Sequence, residues 1–211
     1  MAGESSAGQW TAGPPGFEED EYWCVSSTLV TVVSVAAIVT FTVVAQLSRI
    51  RGLARRGETL VRSRGLAHYV AYFFVVPYFF IAARIGPELD VPELLRWAGL
   101  ALVVLGIGIS LWAIVTLGRH YDLELEIHRD HELVRNGPYR FVRHPIYTGL
   151  GLHFAGACLA TGNLVLIAGT VLVTFPALYL RATTEERLLR EQFGPAYDAY
   201  AREVGMLVPL L

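Results

Sequence analysis

Lysine is absent from this 211-residue chain: its 17 basic residues are all arginine, set against 19 acidic ones for a formal net charge of −2. Charge is scarce altogether, 17% of residues against 54% hydrophobic, and a mean hydropathy of +0.45 is too apolar for an ordinary soluble domain. Cysteine is nearly missing as well. Cys24 and Cys158 lie far apart, and neither belongs to a C-x-x-C or Cys/His cluster, so no zinc site, redox motif or disulfide framework follows. This composition excludes a disordered, collagen-like or disulfide-stapled protein.

What is abundant is apolar sequence in long blocks, and a helix needs roughly 20 such residues to cross a bilayer. Ser26 to Leu47 carries no charge. Leu66 to Ala83 has His68 near its start and Pro77 inside, and Leu94 to Leu117 is interrupted only by Arg96. Ile146 to Leu180 is uncharged apart from His153 and is divided by the turn-forming triplet Thr161-Gly162-Asn163, which predicts two helices in a tight hairpin. The expected fold is therefore an all-α integral membrane protein of about five transmembrane helices. It divides into an acidic, disordered tail over 1–25, a three-helix region over 26–117 and a C-terminal region over 118–211. The tail holds Glu4, Glu18, Glu19, Asp20 and Glu21 where a secretory signal would be basic.

Arginine marks one side of the membrane. Arg49, Arg51, Arg55, Arg56, Arg62 and Arg64 fall between the first two blocks, whereas the next loop holds Glu88, Asp90 and Glu93. By the positive-inside rule the N-terminus is outside, and five crossings place 118–145 and 181–211 in the cytoplasm. The arginine-rich loop reads as topogenic charge drawn to anionic membrane lipid; so little surface leaves no place for nucleic acid.

The cytoplasmic stretch from Gly118 to Thr148 reads GRHYDLELEIHRDHELVRNGPYRFVRHPIYT. Asp122, Glu124, Glu126 and His128 alternate with Leu123, Leu125 and Ile127, the period of a short extended strand at a membrane surface. His120, His128 and His131 with nearby carboxylates are chemically able to bind a divalent ion, but strand-like spacing puts His128 and His131 on opposite faces, so no metal is expected. Asn136-Gly137-Pro138-Tyr139 is a turn signal. Beyond it Arg143 and His144 precede Pro145, which suits the first turn of a helix. Helix-terminal N–H groups with an arginine favour a carboxylate or phosphate there; an arginine anchored among headgroups with a capping histidine fits equally.

After the hairpin comes RATTEERLLREQFGPAYDAYAREVGMLVP. Leu188, Leu189, Phe193 and Tyr197 supply one apolar side of a surface helix broken at Gly194-Pro195. Arg181 and Glu185, four apart, face the same way at the depth where Arg143 and His144 enter the membrane. A simple surface ion pair would also account for them.

At these residues the chain resembles the isoprenylcysteine carboxyl methyltransferase family and its prokaryotic, phospholipid-methyltransferase-like relatives. The similarity runs from His131 to Pro209 through HELVRNGPYRFVRHPIYTG, RATTEERLL, FGPAYDAY and the final Val208-Pro209. It implies a helical membrane enzyme that binds S-adenosylmethionine at its cytosolic C-terminal end and methylates a lipophilic substrate entering from the bilayer. It further implies that His131 and Leu133 line the cofactor cleft, with Tyr139, His144, Pro145 and Tyr147 around the same ligand. Arg181 and Glu185 or Glu186 match the polar residues that hold the cofactor and orient the substrate carboxylate, a task for which Arg143 is equally placed. No strand, G-x-G-x-x-G turn and helix of a soluble methyltransferase is present.

Membrane sterol and steroid reductases are the nearest alternative: they end in a similar arginine-histidine-proline run and bind NADPH. A non-catalytic scaffold or small transporter is the third reading, but the middles of the apolar blocks contain almost no charge to line a path. Gly99, Gly106 and Gly108 allow close helix contacts without Gly-x-x-x-Gly spacing, so no oligomeric state follows.

Overall fold

The computed structural model describes residues 25–53, 59–62, 78, 81–82, 85–118, 126–128 and 133–210. The α-helices with described bounds are α1 (Ser27–Leu53), α2 (Glu93–Leu117), α3 (Pro145–Thr161), α4 (Leu164–Gly169), α5 (Phe175–Phe193) and α6 (Pro195–Glu203). A π-turn over Thr170–Thr174 joins α4 to α5, so Leu164–Phe193 forms one 30-residue rod. That rod, Ser27–Ser48 and Glu93–Leu117 are long and apolar enough to cross a membrane. Helix α3, with 17 residues, spans roughly 25 Å at the usual rise of ~1.5 Å per residue. The second apolar block, Leu66 to Ala83, lies mostly outside the described residues, as do the tail 1–24 and the arginines at 55, 56 and 64.

Among the described residues the mainly helical architecture also carries a two-stranded sheet. Strands β1 (Thr59–Arg62) and β2 (Glu126–His128) pair antiparallel, with Thr59 opposite His128 and Arg62 opposite Glu126. Only the last part of the alternating stretch is thus seen as strand; residues 121–125 are not described.

Helices α2 and α3 pack antiparallel along a seam of small residues. Gly99, Val103, Gly106, Ser110 and Ala113 on α2 are buried, as are Gly149, His153, Gly156 and Ala160 on α3, both at alternating spacings of four and three. A Cβ on Gly106 would lie 2.4 Å from the Gly149 carbonyl oxygen, so only glycine lets the two backbones approach this closely. Gly108 takes no part: a Cβ there would have nothing within 4 Å. Ser110 Oγ donates to the carbonyls of Gly106 (3.1 Å) and Ile146 (3.0 Å), adding a polar tie where lipid offers none.

The hairpin turn is fixed at its expected position. Gly162 closes α3 with φ of 64°, a conformation that favours glycine, and its N–H donates to the Cys158 carbonyl. Asn163 caps α4, its Oδ1 accepting the Leu166 N–H at 2.9 Å. The loop before α2 is bound to this turn through Leu89 N–H to Gly162 O (3.0 Å), and Glu93 Oε1 accepts the Val25 N–H (2.7 Å). The starts of α1 and α2 therefore sit with the hairpin turn at one end of the bundle. The C-terminal end of α2, the start of α3 and the charged half of α5 share the other.

Candidate active site

The site end is built from three pieces of chain. The first is the segment Leu133 to Tyr147. Gly137 turns it with φ of 56° beneath Thr116, and Gly137–Arg140 form a 3-10 turn that buries Pro138 and Tyr139. His144 then occupies the N-cap position of α3 without a side-chain capping bond, and Pro145 sits in the first turn where its missing N–H costs nothing. The second piece is α5, on which Arg181 and Glu185 stand one turn apart and Glu186 lies on the buried side with Ala182. The third is the chain end from α6 onward.

These pieces meet around His144, whose imidazole lies between two carboxylates. Its Nδ1 is 3.4 Å from Glu185 Oε2 and its Nε2 is 3.6 Å from Glu186 Oε1. The His144 side chain is 4% exposed, and among the described residues Nε2 has no hydrogen-bond partner. Burial pulls the His144 pKa down, but the flanking carboxylates of Glu185 and Glu186 outweigh it, and the net shift is upward.

The two glutamates face different partners. Tyr147 donates its hydroxyl to Glu185 Oε1 and accepts from Arg181 Nε at 2.6 Å, placing one phenol between an anion and a cation. Glu185 and Arg181 remain 22% and 26% exposed. Glu186, only 7% exposed, receives Arg143 Nε at 2.7 Å and Arg190 Nη2 at 3.0 Å. The half-open part of the cluster is thus Glu185, Tyr147 and Arg181; the closed part is Arg143 with Glu186, which Arg190 reaches from the exposed side.

Of the expected site residues, Tyr139, Arg143, His144, Pro145, Tyr147, Arg181, Glu185 and Glu186 are gathered at this end. Leu133 lies half-buried at the start of the first segment. His131 is outside the described residues, as is His120, so neither the cofactor contact expected of His131 nor the histidine cluster can be placed. Among the described residues, no three His, Cys, Asp or Glu side chains are grouped to hold a metal.

Sequence reasoning missed the way the chain end is tied in. Tyr200 donates to the Tyr139 carbonyl at 2.5 Å, Arg135 donates to the Ala196 carbonyl and lies over the Tyr200 ring, and Thr148 Oγ1 donates to the Leu207 carbonyl at 2.8 Å. Burial raises the Tyr200 hydroxyl to about 12, against the lowering effect of Arg143 and Arg135. The spacing of Tyr197 and Tyr200, both buried on one side of α6, was the available signal.

A probable protein-S-isoprenylcysteine O-methyltransferase of Oryza sativa subsp. indica is 32% identical over 131 residues, which cover 61% of this chain and 69% of the rice protein. The chain belongs to the isoprenylcysteine carboxyl methyltransferase family. The phospholipid methyltransferase family model matches residues 94–196, which take in α2 through the start of α6. The family relationship continues in the protein-S-isoprenylcysteine O-methyltransferase of Schizosaccharomyces pombe, 37% identical over 83 residues, 39% of this chain and 35% of the yeast protein. A methanethiol S-methyltransferase of Bradyrhizobium diazoefficiens is 40% identical over 72 residues, covering 34% of this chain and 24% of that one. The solved eukaryotic intramembrane Ras methyltransferase, an isoprenylcysteine carboxyl methyltransferase, shares the fold with a TM-score of 0.51 and 24% identity over 81% of this chain. The chain spans about half of that structure, 52% of its length. These relatives are methyltransferases, so the reductase alternative is not favoured.

Proposed function

We propose that this protein is an S-adenosylmethionine-dependent methyltransferase acting on the carboxylate of an isoprenylcysteine-like lipophilic substrate. The observation that carries the reading is the half-open triad of Glu185, Tyr147 and Arg181 beside buried His144, at the end of apolar helices. An anion and a cation held by one phenol suit a zwitterionic cofactor and an acidic acceptor. Among the described residues the buried Nε2 of His144 has Glu186 Oε1 at 3.6 Å as an ionic neighbour but no hydrogen-bond partner, which leaves it able to meet a polar ligand.

The residues fit the cofactor. Glu185 would take its ammonium or hydroxyls, with His144, Tyr139, Pro145 and Leu133 around it, and His131 is proposed to join them from the preceding segment. When bound, S-adenosylmethionine supplies a methyl group on a sulfonium cation. Arg181 holds the acceptor carboxylate, which is already ionised and needs no general base. Tyr147 fixes Arg181 and Glu185 relative to one another, and such orientation is worth effective molarities of about 10⁵ M and above. The lipid-facing rod Leu164–Phe193 leads from the apolar layer to this triad, giving a greasy substrate its approach. Read by the positive-inside rule, the arginine-rich sequence between the first two apolar blocks puts the site on the cytoplasmic side and the N-terminus outside.

Purified protein incubated with methyl-labelled S-adenosylmethionine and a farnesylated cysteine analogue is expected to form a base-labile ester that releases labelled methanol in alkali. Base-stable label on a phospholipid amine or a thiol would replace the carboxyl acceptor with those acceptors. Binding of NADPH without response to S-adenosylmethionine would reject the methyltransferase.

A further inference from the structure

We propose that Arg143 is a positioning residue, and that through it the chain from Ala201 to Leu207 is a working part of the site rather than a trailing end. The inference rests on reading the cluster as a methyltransferase centre. The guanidinium is engaged on both flanks. On one, Nε and Nη2 lie 2.7 and 2.5 Å from Glu186 Oε1. On the other, Nη1 donates to the carbonyls of Ala201, at 3.0 Å, and Val204. At 9% exposure the side chain offers little to a substrate. A planar guanidinium can serve both flanks because its five N–H donors form a rigid fork; a lysine ammonium has no such reach.

The same stretch of chain is stitched to the residues before α3. Arg143 N–H donates to Gly205 O at 2.8 Å and His144 N–H to Met206 O at 3.0 Å. Thr148 Oγ1 reaches Leu207 O. This strap therefore fixes the backbone of His144 directly and the carboxylate of Glu186 through Arg143, and the imidazole carried by that backbone stands 3.6 Å from that carboxylate. Glu186 is preceded in α5 by Glu185 of the half-open triad, so holding one positions the other. The strap can form because Gly205 lacks a side chain: a Cβ there would lie 1.9 Å from Val208 O.

The test compares wild type with Arg143→Lys, Gly205→Leu and their double variant, reading three quantities. These are S-adenosylhomocysteine affinity by calorimetry, kcat and acceptor KM for methyl transfer, and amide exchange over 201–207. Both single variants are expected to speed exchange in the strap. They are expected to weaken S-adenosylhomocysteine and lower kcat by about tenfold or more while acceptor KM stays within about twofold, and the double variant should add little because the path is shared. Fast exchange in Gly205→Leu with wild-type kcat and affinity would overturn the proposal. So would Arg143→Lys raising acceptor KM alone, the mark of direct substrate contact. Should Gly205→Leu not fold, Thr148→Val removes the Oγ1 bond to Leu207 O together with the longer one to His144 O and must show the same pattern in milder form; normal kinetics with a loosened strap would overturn the proposal. A wild type that neither binds S-adenosylhomocysteine nor transfers methyl would instead overturn the reading of the site.

Discussion

Replacing Tyr147 with phenylalanine removes one oxygen and leaves every charge in place. That oxygen donates to Glu185 and accepts from Arg181 Nε at 2.6 Å, two hydrogen bonds to ionised groups in a largely buried setting. Such bonds contribute about 1.5–3 kcal/mol each. Part of the loss is recovered, because Arg181 Nε already stands 3.7 Å from Glu185 Oε1 and the two can close on each other. Closing would withdraw Arg181 from the acceptor and Glu185 from the cofactor. The net cost to the transition state is therefore about one such bond, a fall in kcat/KM of roughly 10- to 150-fold. The ring keeps its stacked contact with His144 at 5.8 Å, so folding should be little affected. Steady-state methyl transfer to a farnesylated cysteine analogue, normalised to folded protein, measures it. Activity within twofold of wild type would show that the triad does not orient the reactants.

Other consequences follow from the same geometry. Gly106→Leu should abolish monodisperse folded protein by size exclusion, since overpacking costs about 1–3 kcal/mol or more even where side chains can yield, and here backbone meets backbone; Gly108→Leu should be tolerated. Equal yields of the two would contradict the seam. Tyr200→Phe leaves the Tyr139 carbonyl without its 2.5 Å donor and should destabilise the protein by about 1 kcal/mol, read as a lowered unfolding midpoint; an unchanged midpoint would show the bond contributes nothing. His144 has a pKa raised above 6.5, so protonation of this imidazole is favoured by folding. Its stabilising contribution is complete below about 6.5 and is lost as pH rises through the higher folded value. The unfolding midpoint of wild type should fall over that window, and His144→Gln should remove that part of the fall; an identical pH profile would refute the coupling.

Much of the site end was legible because its signals are local. Pro145 after His144 marks a helix start, Gly162 with Asn163 marks a turn, and Arg181 with Glu185 marks one helix face; each needs only near neighbours in sequence. The division of labour between Glu185 and Glu186 was not legible, because adjacent residues on a helix differ by a rotation that only packing against α3 and α6 decides. The strap escaped for a related reason: its partners are backbone carbonyls of Ala201, Val204, Gly205, Met206 and Leu207, which carry no side-chain signature. Apolar blocks likewise said where helices lie but not their seams. Gly99 and Gly106 proved to face α3 while Gly108 faces away, which follows from the alternating four-three spacing and not from glycine content. The π-turn at Thr170–Thr174 left no mark in a run that is apolar throughout.

The central claim is that the segment entering α3 and the carboxylates leaving α5 form one cofactor site. Calorimetric titration of S-adenosylhomocysteine into wild type, His144→Ala and Glu185→Ala in detergent tests it most directly. The account predicts clear binding to wild type and a large loss of affinity in both variants, each still folded. Wild-type affinity in both would contradict it.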